Sequence, residues 1–100
     1  MNSGQLVLVT LQNPREKFWG VLTAITPAGA TLRGVDLLSL EHFTQSVKSG
    51  ETITPNDVFF PMHRVQRIEV DGSTGELPSL AERFRQLSGT EARVFFGADD

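Results

Sequence analysis

The sequence predicts a mainly β protein: five strands curled into a small barrel, with a short helical insertion and a C-terminal helix. Three observations carry this expectation. Leu6–Leu11 (LVLVTL), Lys17–Thr26 (KFWGVLTAIT) and Ala30–Val35 (ATLRGV) are apolar, β-branched runs separated by turn residues, which reads as consecutive strands. The stretch Val58–Val70 (VFFPMHRVQRIEV) places Val65 and Ile68 three apart, a spacing that breaks strand alternation and matches one 3₁₀ turn. Further on, Pro78-Ser79-Leu80-Ala81-Glu82 has the form of a helix start.

In chain order, Leu6–Leu11 is apolar at nearly every position and reads as a strand covered on both faces. Asn13-Pro14-Arg15-Glu16 is the first turn, with Pro14 removing a backbone donor. The second strand contains Gly20, which weakens a strand unless the chain bends there or another backbone comes close. A small barrel needs such a corner, so Gly20 is assigned to it. Pro27-Ala28-Gly29 turns the chain into the third strand, which contains Gly34. Between Asp36 and Asp57, the residues Leu37, Leu40, Phe43 and Val47 fall near one helical face. A short helix over Leu40–Val47, capped by Asp36 or Ser39 and stopped by Gly50, is favoured over a hairpin arm turning at Lys48–Glu51. Thr52–Asp57 is expected as a loop. The fourth strand is placed at Val58–His63, the 3₁₀ turn at Arg64–Gln66 and the fifth strand at Arg67–Val70.

Asp71–Gly75 reads as a plain turn or linker. Residues 1–76 then form the barrel with its insertion at 36–57, and 77–100 form a C-terminal helix and tail. Ser79 and Glu82 make a capping box, Leu80, Phe84 and Leu87 make one apolar stripe, and Gly89 is a stop. That helix is expected to pack on the barrel or plug one open end. Ala92–Phe96 (ARVFF) is read as a further short strand.

The composition narrows the function classes. One hundred residues make one domain, and the seven Phe and single Trp give the 39% apolar fraction enough bulk for a small core. The net charge of −3 gives no general attraction for nucleic acid. Residues 1–35 and 58–70, the expected strands, nevertheless carry five Lys/Arg against two carboxylates, so one face can be locally basic. With no cysteine, disulfides and thiolate metal sites are excluded. The N-terminal MNSGQLVLVTL lacks the basic region of a signal peptide, and no window reaches the roughly 18 apolar residues of a spanning helix. A cytoplasmic protein with no membrane role is the expectation.

The run VLVTL, KFWGVLTAIT, GATLRGV, an insertion, VFFPMHRV and QRIEV resembles the Sm-like fold, an SH3-like small barrel to which the bacterial Hfq proteins belong. The resemblance spans Leu6–Val70. Trp19-Gly20-Val21-Leu22 looks like the bent second strand of the first Sm motif. Met62-His63-Arg64-Val65-Gln66-Arg67-Ile68 is similar to the Hfq segment carrying Lys-His, a 3₁₀ turn and the last strand, with Met62 in the place of the lysine. The Asp and Asn that stand beside a uridine in Sm proteins have no equivalents near Thr26–Arg33, and the long N-terminal helix has none before Leu6. The resemblance implies a homo-oligomer joined through its fourth and fifth strands, with RNA or a protein as further partner.

Site residues follow from this. The resemblance lets His63 bond a base or ribose, while the plainer alternative is a strand-end histidine bonded to backbone. Arg64 and Arg67 can contact phosphate or solvate a turn. Phe60, with Phe59 and Trp19, can stack on unpaired bases or fill the core. The oligomer interface is assigned to Val58, Phe59, Phe60, Met62 and Ile68, an apolar edge that invites strand pairing despite Pro61. No catalytic motif is found: Glu41 and His42 lie on the insertion without a nucleophile. The spacing of His42 and His63 fits no metal site, and the sequence calls for no cofactor. The expected function is a non-enzymatic Sm-like homo-oligomer binding RNA at a pore or face. The alternative is a structural or protein-interaction module.

Overall fold

The computed structural model describes residues 1–97. Strands β1 (Leu6–Leu11), β2 (Glu16–Thr26), β3 (Gly29–Asp36), β4 (Asn56–Pro61) and β5 (Val65–Val70) form one antiparallel sheet in the order β4-β3-β2-β1-β5. Helix α1 (Leu40–Lys48) follows a 3₁₀ turn at Leu37–Ser39, and α2 (Leu80–Ser88) and α3 (Ala92–Phe95) end the described chain. The protein is therefore mainly β with helical additions. β4 and β5 stand at opposite edges of the sheet and are not paired with each other, so the sheet is not closed into a barrel.

The sheet is nevertheless strongly curled. Five flat strands would hold β4 and β5 about 19 Å apart. They are joined only by the turn Met62–Arg64, three residues that rise about 6 Å as a 3₁₀ helix. That turn also touches both ends of β2. The Met62 N–H donates to Ala28 O at 2.9 Å, just past the end of β2, and the Gln12 N–H donates to Arg64 O at 2.8 Å, just before its start. A straight strand of eleven residues would be about 36 Å long, so β2 must arc for one short turn to reach both ends.

Two glycines make that arc possible. Gly20 on β2 lies directly opposite Gly34 on β3. A Cβ on Gly20 would run into the Arg33 carbonyl oxygen and come within 2.5 Å of Gly34 Cα. One on Gly34 would sit 2.5 Å from Trp19 O. The corner assigned to Gly20 is thus a place where two backbones approach too closely for any side chain.

Alternation along the curled strands splits the apolar residues between two clusters. Inside the curl lie Val7, Val9 and Leu11 of β1, Leu22 of β2, Ala30 and Leu32 of β3 and Phe60 of β4, with Val58, Val65 and Ile68 packed against them. The two edge strands therefore share one core. On the outer face lie Trp19, Val21 and Val35, covered by Phe84 of α2 and by Ala92 and Phe96 at α3.

β4 and the following turn lie two residues earlier than expected, and β5 begins two residues earlier but ends at Val70 as expected. β4 is Asn56–Pro61, the 3₁₀ turn is Met62–Arg64 and β5 is Val65–Val70. Val65 lies opposite Leu11, but Arg67 lies opposite Thr10, so Gln66 is an extra residue in the ladder. A β-bulge inserts one residue and shifts the side-chain period from two to three, which the sequence displays identically to a 3₁₀ turn. A second bulge at Thr23 does the same for Leu22 and Ile25.

Helix α1 is formed, one residue longer than expected, and no hairpin arm replaces it. Asp36 supplies the cap for the preceding 3₁₀ turn through Leu38 N–H at 2.9 Å, whereas Ser39 makes no capping bond. The expected strand at Ala92–Phe96 is a helix: Ala92 and Phe96, one helical turn apart, are buried while Val94 between them is 65% exposed, whereas a strand would place all three on one face. The C-terminal part packs on the outer face of the sheet, where Trp19 meets Phe84 at 5.7 Å and Phe96 at 5.0 Å between ring centroids. The capping box is complete, with Glu82 N–H donating to Ser79 Oγ at 3.0 Å and Ser79 N–H to Glu82 Oε1 at 2.8 Å. Those bonds hold the Glu82 carboxyl below its ordinary value.

An alanine at an unobstructed strand position gains about 0.5–1 kcal/mol over glycine. At Gly20 or Gly34 the sign should invert, to a loss of about 1–3 kcal/mol from backbone overpacking, read by chemical denaturation. A neutral or stabilising Gly20→Ala would show that the two backbones are not in contact.

Candidate interface at the sheet edges

β4, the Met62–Arg64 turn and β5 hold every site residue that the sequence singled out except Trp19. β4 is fixed to the sheet by its ladder with β3 and by an ion pair across it. Arg33 and Asp57 are opposite one another, with Arg33 Nε to Asp57 Oδ1 at 2.8 Å. The hydrogen bond from Arg33 holds the Asp57 carboxyl below its ordinary range, and Asp57 in turn raises the Arg33 guanidinium. Both groups are solvated, so the pair sets register more than it adds stability.

The structure separates the expected site residues into three kinds. Phe60 is buried in the inner cluster, with its ring 5.0 Å from that of Phe18, and Trp19 is buried on the outer face. A base can stack on neither without opening the core. Arg64 is committed within the chain: its Nη2 bonds Glu16 Oε1 at 2.7 Å and Pro14 O at 3.3 Å. Its Nε is buried without a partner among the described residues. Arg67 pairs with Glu69 at 3.2 Å on the exposed side of β5. His63 and Phe59 are the open ones. The His63 side chain is exposed while its carbonyl accepts from Gln12 Nε2 at 3.0 Å, and Phe59 is 53% exposed on β4. Val58, Met62 and Ile68 are half-buried, with Val58 and Ile68 facing inward.

The arrangement thus offers two sheet edges bounded by one exposed turn. Glu41 and His42 are exposed on α1. Among the described residues no group of three or more His, Asp or Glu is placed to hold a metal ion, and no helix is long and apolar enough to cross a membrane.

One residue that organises the molecule lies in the stretch that reads as a turn or linker. The Asp71 carboxylate accepts from Trp19 Nε1 at 3.1 Å and from the Leu80 and Ala81 N–H groups, each at 2.9 Å. It thereby satisfies the polar edge of the buried indole and the first turn of α2 together. Its own N–H donates to Leu6 O at 2.9 Å, continuing the β5 ladder by one bond. The sequence holds one trace of this role: a buried Trp needs an acceptor. The 52-residue separation of Trp19 and Asp71 hid which carboxylate supplies it.

Asp71→Ala is expected to cost about 2–3 kcal/mol, because it orphans a buried indole N–H and two helix N–H groups. Denaturation followed by Trp19 fluorescence measures both the loss and the changed polarity around the ring. A cost under about 0.5 kcal/mol would show that water replaces the carboxylate freely.

No protein-family model matches this chain, and no curated protein or solved structure matches it either.

Proposed function

We propose that the chain is a non-enzymatic self-assembling module of Sm-like type, in which β4 of one copy pairs with β5 of the next. The observation that carries this reading is the pair of sheet edges. β4 and β5 each have a strand neighbour on one side only, and both are held at the ends of one curled sheet. An unpaired edge presents a row of backbone donors and acceptors that a second strand completes. Phe59 on β4 and Val70 on β5, both about half exposed, supply apolar surface at the two edges. Joining unlike edges is a heterologous contact, which closes into a ring when the rotation per copy allows it. Pro61 ends β4 and removes one donor from that ladder, which shortens the pairing without preventing it.

RNA binding is the second reading, and one observation favours it: His63, the histidine of the Hfq-like segment, is exposed on the turn between the edges. The other expected RNA contacts favour an interaction module, since Arg64 and Arg67 are paired with carboxylates and Phe60 on β4 is buried.

Light scattering should give a multiple of the 11.0 kDa chain mass, and Phe59→Glu should return it to a monomer with an unchanged far-UV spectrum. A wild-type monomer at high concentration would end the edge-pairing account. Short single-stranded RNA that shifts at low salt, with a steep salt slope abolished by His63→Ala, would move the assignment to RNA.

A further inference from the structure

We propose that the cleft between the N-terminal segment, the β2–β3 region and α3 binds a small molecule through an oxyanion, a phosphate or a carboxylate group. The cleft has a volume of about 560 Å³, within the range of small-molecule sites. Its lining includes two arginines, Arg33 and Arg93, and among the described residues it includes no Asp or Glu. Of the two guanidinium groups, Arg33 is paired with Asp57 outside the lining, and Arg93 has no carboxylate partner among the described residues.

Both guanidinium groups are held in place by the protein. Arg33 gives Nε and Nη2 to Asp57, at 2.8 and 3.5 Å, and turns Nη1 toward α3, where it donates to Phe96 O at 3.4 Å. Arg93 donates Nη1 to Gly4 O at 2.8 Å. An arginine has five N–H donors in a planar fork, so one anchoring bond on Arg93 leaves capacity for a bidentate oxyanion. These bonds restrain both side chains, which lowers the ordering cost of binding.

The other lining groups suit the same ligand. Gln5 spends its Oε1 on the Asn2 N–H at 2.7 Å, so the amide NH2 is the part of that side chain with donors to offer. Ser3 adds a hydroxyl group, the Thr23 hydroxyl donates to Thr31 O at 3.1 Å, and buried Leu22 and Phe96 form an apolar floor. A phosphate or carboxylate held here would tie together the chain near residues 4, 33 and 93, and would so raise stability by binding only the folded state. The cleft is joined to the edge strand β4 through the Arg33–Asp57 ion pair, and its test changes Arg93, whose bond is to Gly4.

The experiment is a titration of the whole chain with inorganic phosphate at fixed ionic strength, followed by amide ¹⁵N–¹H shifts, with a parallel sodium acetate series. The expected result is saturable shifts at Gly4, Thr23 and Gly97 in the millimolar range, with the apparent affinity at least fivefold weaker in Arg93→Gln. Arg85→Gln, on α2 outside the cleft, should leave the affinity unchanged. Should Arg93→Gln lose its fold, Arg93→Lys keeps the charge, loses the fork and should still weaken binding. Saturation with acetate as well assigns a carboxylate-tolerant site, and saturation with phosphate alone assigns a phosphoryl site. Shifts that do not saturate, or that are equal in Arg93→Gln, would overturn the proposal.

Discussion

The close approach of β2 and β3 at Gly20 and Gly34 is the constraint on which the rest of this structure depends. With both Cβ atoms absent, two backbones come within a distance that no side chain tolerates, and β2 can arc. The arc brings its ends within reach of the Met62–Arg64 turn, which bonds to Ala28 on one side and to Gln12 on the other. The same curvature lets β4 and β5, the outermost strands, bury Phe60, Val65 and Ile68 against a common core. Two free edges on a curled sheet follow directly, and the proposed assembly uses those edges.

The outer face poses the opposite problem. Curling buries one side of the sheet and leaves Trp19, Val21 and Val35 uncovered, an apolar surface too large to leave in water. The C-terminal part resolves it with short helices instead of another sheet. Two helices of nine and four residues are too short to persist alone. Their order comes from the aromatic contacts of Phe84 and Phe96 with Trp19, and from Asp71, which bonds the indole and the start of α2 at once. The indole therefore serves as core for two parts of the chain that lie sixty or more residues apart.

Much of this was legible in the sequence where a local rule had a single meaning. The first three strands, α1 and the Ser79–Glu82 capping box each follow from period, propensity or capping chemistry. Legibility failed where one pattern has two causes. The three-residue step from Val65 to Ile68 arises from a bulge at Gln66, while the 3₁₀ turn sits two residues earlier. ARVFF carries strand formers, yet Ala92 and Phe96 are buried in the cluster of Trp19 with Val94 exposed between them, a helical pattern, so packing overrode propensity. The site was less legible still. Composition marks Arg64 and Arg67 as cations, but only coordinates show Glu16 and Glu69 beside them. The Arg33 and Arg93 cleft is assembled from segments at both ends of the described chain, from Asn2 to Gly97, and leaves no motif.

The most direct test of the curled sheet is a set of nuclear Overhauser effects between the two edge strands. Contacts from the Phe60 ring and the Val58 methyls to the methyls of Val65 and Ile68 are predicted, because all four side chains pack on the same inner cluster. Their absence, with β4 and β5 held about 19 Å apart as in a flat five-stranded sheet, would contradict the account at its foundation.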